Sequence, residues 1–346
     1  MKRIFILVTV VLLSAGLFAE EAILIDFSKV LADIHVKIAD SDEDTTPNQN
    51  RATMMDYSNV AGGSFTSAQK NFMKTSLAIA NWEVILASSS QTVTAKSLTF
   101  AQEADSQKYG KVMGLRVNFP VEPFNSWARV KPPFDIPAYE PQGEVQDDGT
   151  VTPTEDGGNG ITGPSRFEDG FGVVKNVGTV KSVAVNAYGL NFPHALYAVL
   201  VHNDGTEQSV FMGYLNYDGW GELTWNNPSY VSEVRNRTLR IYPVYPASSP
   251  FVKFGGFIVQ RDAAKEGGDF IGYFKDVKII YDKAVLDTTR DIDDEYTWGI
   301  IQKRETARKK FEMERFGQNQ VLRYLEAQKQ AQETDFTPTP DNSENQ

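Results

Sequence analysis

Between residues 177 and 281 apolar and polar positions alternate in short runs, each closed by Gly, Asn, Asp or Pro. Over 180–188, Val183, Val185 and Ala187 fall on one face and Ser182, Ala184 and Asn186 on the other, the period of two that a strand imposes. The run 196–202 places Tyr197, Val199 and Val201 on one side, and after Asn203-Asp204-Gly205-Thr206 a second run returns over 208–215. An Asp-Gly turn between two β-rich runs predicts a hairpin, because Gly accepts the positive φ such a turn needs. Runs 239–245, 252–260 and 271–281 continue the pattern, bounded by Ser248-Ser249-Pro250 and Gly267-Gly268. Many short strands without intervening helices predict a mainly β fold, an antiparallel β-sandwich of jelly-roll type.

The same pattern extends towards the N-terminus. Ile23, Ile25 and Phe27 alternate with Leu24, Asp26 and Ser28, which predicts a first strand within 21–34. Trp82, Val84 and Leu86 mark a strand over 81–87, and 111–119 reads as another. Residues 120–141 carry six prolines, which predicts a sheet edge or a crossing loop, since proline cannot donate to a central ladder. Residues 140–165 hold six acidic and no basic side chains, with almost nothing to bury, and are expected to form a mobile insert. The expected division is therefore a β-sandwich over 20–285 interrupted by that insert, then a linker and helix over 286–332.

After Lys283 the period changes. A helix is predicted from about Thr297 to Gln332, with Ile300, Ala307, Phe311, Leu322 and Leu325 on one stripe at 100° per residue and Arg304 interrupting it. Pairs such as Glu305/Lys309 and Arg308/Glu312 support an exposed helix by a few tenths of a kcal/mol each. Between Ile300 and Ala331 eight basic residues face four acidic ones, so the helix is basic. Its stripe (Ile300, Arg304, Ala307, Phe311, Leu322, Leu325) is the expected partner contact, and 333–346 is expected to be a disordered polar tail.

Composition narrows the functional classes. Lys2 and Arg3, the apolar run 4–13 and the small residues Ser14, Ala15 and Gly16 form the three regions of a secretory signal peptide, with cleavage expected after Ala19. The run is too short to span a bilayer, and no membrane insertion is expected after cleavage. Without Lys2 and Arg3 the chain has 32 basic and 45 acidic residues, a formal charge of −13 that disfavours nucleic acid as a partner. There is no Cys, hence no disulfide, and only three His (His35, His194, His202), so neither a transition-metal site nor a cofactor is expected. The carboxylates of 40–44 lack the spacing of a calcium loop.

No nucleophile elbow, phosphate loop or H-E-x-x-H motif occurs, and no enzymatic activity is expected. The remaining candidate is aromatic: Tyr214, Tyr217, Trp220, Trp225 and Tyr230, set among Asn216, Asp218, Asn226 and Asn227. Rings bordered by amides and carboxylates suit a glycan by stacking plus directional hydrogen bonds, and suit a protein contact or a core equally.

Several segments taken in order carry a resemblance to a known family. They are Phe18-Ala19 at the end of the signal, Gly114-Leu115-Arg116-Val117-Asn118-Phe119-Pro120, and Val183-Ala184-Val185-Asn186-Ala187-Tyr188-Gly189. The last is Gly272-Tyr273-Phe274-Lys275-Asp276-Val277-Lys278-Ile279-Ile280-Tyr281-Asp282. With these the mature chain resembles the spirochaete flagellar filament outer layer (sheath) proteins of periplasmic flagella. The resemblance implies a fold like that of carbohydrate-binding modules and a structural role in the periplasm. It also implies core flagellins and other copies or paralogues of the sheath protein as partners. The alternative from the residues is a periplasmic carbohydrate-binding module using the aromatic platform.

Overall fold

The computed structural model describes residues 19–30, 53–57, 74–138, 169–231, 250–286 and 291–304 without a break. It also describes 63, 65–67, 70, 143–145, 151–153, 167, 239–241, 244–246, 306–308 and 310–314. The carboxylates of 40–44, the signal segment before Ala19, and Leu322, Leu325 and the tail lie outside the described residues.

In chain order the first strands are β1 (Glu20–Asp26), β2 (Met54–Asp56), β3 (Lys74–Ser76), β4 (Glu83–Leu86), β5 (Phe100–Ser106) and β6 (Gly110–Phe119). Next come β7 (Ser126–Lys131), β8 (Gly143–Val145), β9 (Val151–Pro153), β10 (Val173–Lys175), β11 (Val177–Leu190) and β12 (Ala195–His202). The last are β13 (Glu207–Tyr214), β14 (Asp218–Asn226), β15 (Leu239–Ile241), β16 (Phe251–Arg261) and β17 (Gly268–Leu286). Among the described residues, one sheet runs β14-β11-β17-β6-β5 with β1 and β15 also on β17; the other runs β13-β12-β16-β7-β4 with β10 on β16. The chain passes repeatedly from one sheet to the other, as a jelly roll requires. Pairing within both sheets is antiparallel except for β15, which lies parallel to β17.

The sheets face each other through the side chains whose alternation marked the strands. Val183, Val185 and Ala187 of β11, Leu196, Ala198 and Leu200 of β12, and Val277 and Ile279 of β17 are fully enclosed. Phe257 of one sheet stacks on Phe274 of the other with centroids 4.5 Å apart, and Phe27 meets Trp82 edge-on at 5.5 Å. Burying each such ring contributes about 1.5–3 kcal/mol, and without disulfides this core carries the stability.

Two expectations change here. The proline-rich stretch is not only edge or loop: β7 lies inside the second sheet, between β16 and β4, because Pro123 and Pro132 flank it and no proline falls within it. The loop before it is held by Arg261, fully buried, which donates to the carbonyls of Pro120, Glu122 and Phe124 at 2.6 Å each. Within the acidic insert β8 and β9 pair as a small antiparallel ladder. The predicted C-terminal helix does not run unbroken from Thr297: a short helix Asp294–Trp298 ends at Gly299, and helical residues resume at Ile300. Gly299 takes the left-handed conformation (φ 56°) and donates to the Glu295 carbonyl, which closes the first helix as a C-cap.

The chain divides into two compact units. The first comprises Met1–Asp33, Asn48–Met54 and Ser76–Ile301, and so contains the sandwich and the short helix; the second comprises Ile34–Pro47, Met55–Thr75 and Gln302–Gln346. The last strand of the sandwich ends at Leu286, and the compact unit that contains it extends to Ile301. The Tyr245 hydroxyl ties the short helix to it, donating to Glu295 Oε2 at 2.9 Å and accepting from the Ile300 amide at 3.2 Å.

Candidate functional site

The strand register decides where each candidate ring lies, since directly opposed residues of an antiparallel pair share a face. On β14, Trp225 pairs with the buried Val183 and so turns inward, whereas Trp220 pairs with Tyr188 on the outer face of the first sheet. Tyr217 lies against Gly189 and Gly221 and donates to the Ala187 carbonyl at 3.1 Å; burial raises its hydroxyl pKa. Tyr230 donates to Asp282 at 3.0 Å, with the Lys181 ammonium over its ring. Tyr214 belongs to the other sheet, on its outer face, beside Phe211 at 5.4 Å. The five rings proximate in sequence are therefore dispersed over separate surfaces, because the β13–β14 connection passes from one sheet to the other.

Two outer faces emerge instead. On the first sheet, Trp220 packs edge-on against Tyr188 at 5.4 Å and Tyr109 at 4.8 Å, and Tyr188 meets Tyr273 at 6.0 Å. Bonding to the Asn186 amide, then to Lys108, holds the Tyr109 hydroxyl below its ordinary pKa. Nearby, Lys275 bridges Asp276 at 2.7 Å and Asp26 at 3.1 Å. Burial alone would raise the Asp26 pKa, but bonds from Ser28 and Lys275 outweigh it and leave it lowered. Asp276 Oδ1 is buried without a hydrogen-bond partner.

On the second sheet, register aligns Tyr214, Ala195, Gln260 and Trp127 across β13, β12, β16 and β7. The adjacent row reads Phe211, Tyr197, Ile258, Arg129 and Ile85. The rings stand in solvent: Trp127 is 41% exposed, Phe211 43% and Tyr214 55%. Arg129 reaches over β16 and β12 to Glu207 on β13 in a bidentate pair at 2.8 and 2.9 Å. That pair lowers the Glu207 pKa, and Arg129 Nε stays buried without an acceptor. Only Tyr214 of this surface was nominated by the sequence. Trp127, Gln260 and Arg129 come from strands distant along the chain, and no local spacing connects them.

The predicted helical stripe falls within the described residues as far as residue 314. Ile300 is half-buried, Arg304 and Ala307 are exposed, and Phe311 is 64% exposed. Tyr296 and Trp298, outside the predicted stripe, are exposed as well. Among the described residues no group of three or more His, Cys, Asp or Glu could hold a metal ion, and no helix is long and apolar enough to cross a membrane.

Residues 46–290, nearly the whole sandwich, match the family model described as FlaA, flagellar filament outer layer protein. The chain belongs to that family. It is 52% identical to the flagellar filament outer layer protein of Treponema pallidum (strain Nichols), over 98% of this chain and 97% of that one. It is 44% identical to the protein of the same description from Spirochaeta aurantia, over 97% and 95%. The match to the Borreliella burgdorferi relative is 28% over 74% of this chain and 71% of that one. Solved structures give weaker likenesses. TmCBM61 in complex with beta-1,4-galactotriose matches at 10% identity and TM-score 0.27, covering 59% of this chain and 90% of that one. The Family 11 carbohydrate-binding module of a cellulosomal cellulase of Clostridium thermocellum matches at 6% and 0.25, covering 61% and 91%.

Proposed function

We propose that this chain is a structural subunit of the outer layer of a periplasmic flagellar filament. In this reading it is exported by its N-terminal signal and laid over core flagellins, where it contributes to filament stiffness, shape and motility. The observation that carries the reading is identity of 52% along nearly the full length of a protein described as filament outer layer protein. Such a role is mechanical rather than catalytic and depends on contacts with core flagellins and with other copies or paralogues in the layer. The exposed Phe311, with Ala307 and Arg304 on the same stretch, suits a contact of that kind. Burying Phe311 in a neighbour would contribute on the order of 1.5–3 kcal/mol before ordering costs.

The test is isolation of periplasmic filaments from cells carrying the full chain or a chain ending at Ile301. The full chain should copurify in stoichiometric amount; the shortened chain should reach the periplasm folded but coat filaments poorly. Absence of the full chain from purified filaments would overturn the sheath role. Normal coating by the shortened chain would remove the terminal segment from it.

A further inference from the structure

We infer that the outer face of the second sheet is a saccharide-binding trough, with Trp127 and Tyr214 as its walls and the Ala195–Gln260 row as its floor. The two exposed rings stand on strands separated by β12 and β16, about 14 Å apart at ordinary strand spacing. Between them their own row is a methyl group and a carboxamide. The neighbouring row sets Phe211 5.4 Å from Tyr214 and Tyr197 5.4 Å from Phe211, which extends the Tyr214 wall, while Gln260 puts a polar group between the two walls.

Arg129 and Glu207 form one border. Their bidentate contact, at 2.8 and 2.9 Å, holds the guanidinium in place on this face. Arg129 Nε is enclosed, so what the pair presents to a sugar hydroxyl is the Glu207 carboxylate, 46% exposed, as an acceptor. The Gln260 amide offers both a donor and an acceptor to neighbouring hydroxyls. Pyranose rings present apolar C–H faces to the aromatic walls and equatorial hydroxyls to the floor, which matches this alternation of ring and polar group. The ion pair is internally neutral, and the formal charge of the chain is −11, which disfavours uronic or sulfated sugars. The ligand class is therefore an uncharged pyranose chain, either a neutral hexose or an N-acetylated amino sugar. The site is independent of the sheath role, since it rests on side chains of one subunit.

The experiment is native electrophoresis of the purified full chain through gels containing hydroxyethyl cellulose, dextran or glycol chitin, with retardation converted to affinity. The hexose polymers and the amino-sugar polymer separate the two sugar types. Retardation by at least one polymer is expected. Trp127→Ala and Tyr214→Ala should each weaken it at least tenfold, and Gln260→Ala severalfold. Trp220→Ala, on the opposite face, should leave it unchanged. Thermal melting of each variant separates lost binding from lost folding, and Trp127 and Tyr214 are exposed enough for both variants to fold. Three outcomes overturn the inference: no retardation by any polymer, retardation indifferent to both ring substitutions, or a Trp127-dependent self-association in sedimentation without saccharide binding.

Discussion

At the scale of single residues the unusual feature is polarity enclosed among rings. His194 is 4% exposed, flanked by Phe119, Phe192 and Phe270, and burial followed by the charge of Arg261 pushes its pKa down to about 4. The folded state therefore holds it neutral, whereas the unfolded chain protonates it near 6.5. Its contribution to stability is complete above pH 6.5 and is lost as pH falls towards 4, on the order of 2–3 kcal/mol. The melting temperature should fall across that window, and His194→Phe should flatten the decline there. An unchanged pH profile in the variant would mean that His194 does not set it. Asp26, with its pKa lowered, contributes stability above 3.8 and loses it only at lower pH, so the two windows are distinct. Lys275 holds Asp26 and Asp276 together, and Lys275→Met should destabilise by about 3–5 kcal/mol because it leaves two enclosed carboxylates facing each other. Adding Asp26→Asn and Asp276→Asn should restore much of the loss in denaturant melts.

At the scale of elements, legibility followed the clarity of alternation. The β12–β13 hairpin was readable because Gly205 (φ 83°) supplies the turn and apolar residues mark both runs. β5 escaped notice because its sequence FAQEADS is polar on both sides and it lies at a sheet edge. β14 was hidden by Gly219 and Gly221, which interrupt its alternation, so its aromatic residues read as a cluster rather than as opposite faces of one strand. β7 was masked by its flanking prolines. The exposed surface of the second sheet could not be read at all, because aligning Trp127, Gln260 and Tyr214 requires the order and register of four strands. Sequence proximity misled for the same reason.

Glycines offer a test at this scale. Gly256 lies beside the β12–β16 register shift with φ 110°, and a Cβ there would run into the Val130 carbonyl of the adjoining strand. Gly205 also has positive φ but open space around it. Gly205→Ala should cost about 1 kcal/mol from backbone conformation alone, whereas Gly256→Ala adds a collision and should cost several-fold more. Equal losses in urea unfolding would show that the contact with Val130 relaxes freely.

At the scale of the molecule, β17 has 19 residues and pairs along its length with β11, β6, β1 and β15. At about 3.3 Å per residue it extends roughly 60 Å. Tension applied along that axis would shear many ladder bonds at once, whereas tension across it would open them in succession. The subunit is then mechanically anisotropic, with a stiff direction along β17. Single-molecule extension through attachment points at residue 190 on β11 and residue 286 on β17, opposite ends of two paired strands, should require markedly higher rupture force than extension between exposed sites on β5 and β14. Equal forces would show that the long ladder bears no special load. A layer that laid this axis along a helical filament would resist stretching on the outside of every bend, and turning the axis crosswise would make the same protein a compliant coat.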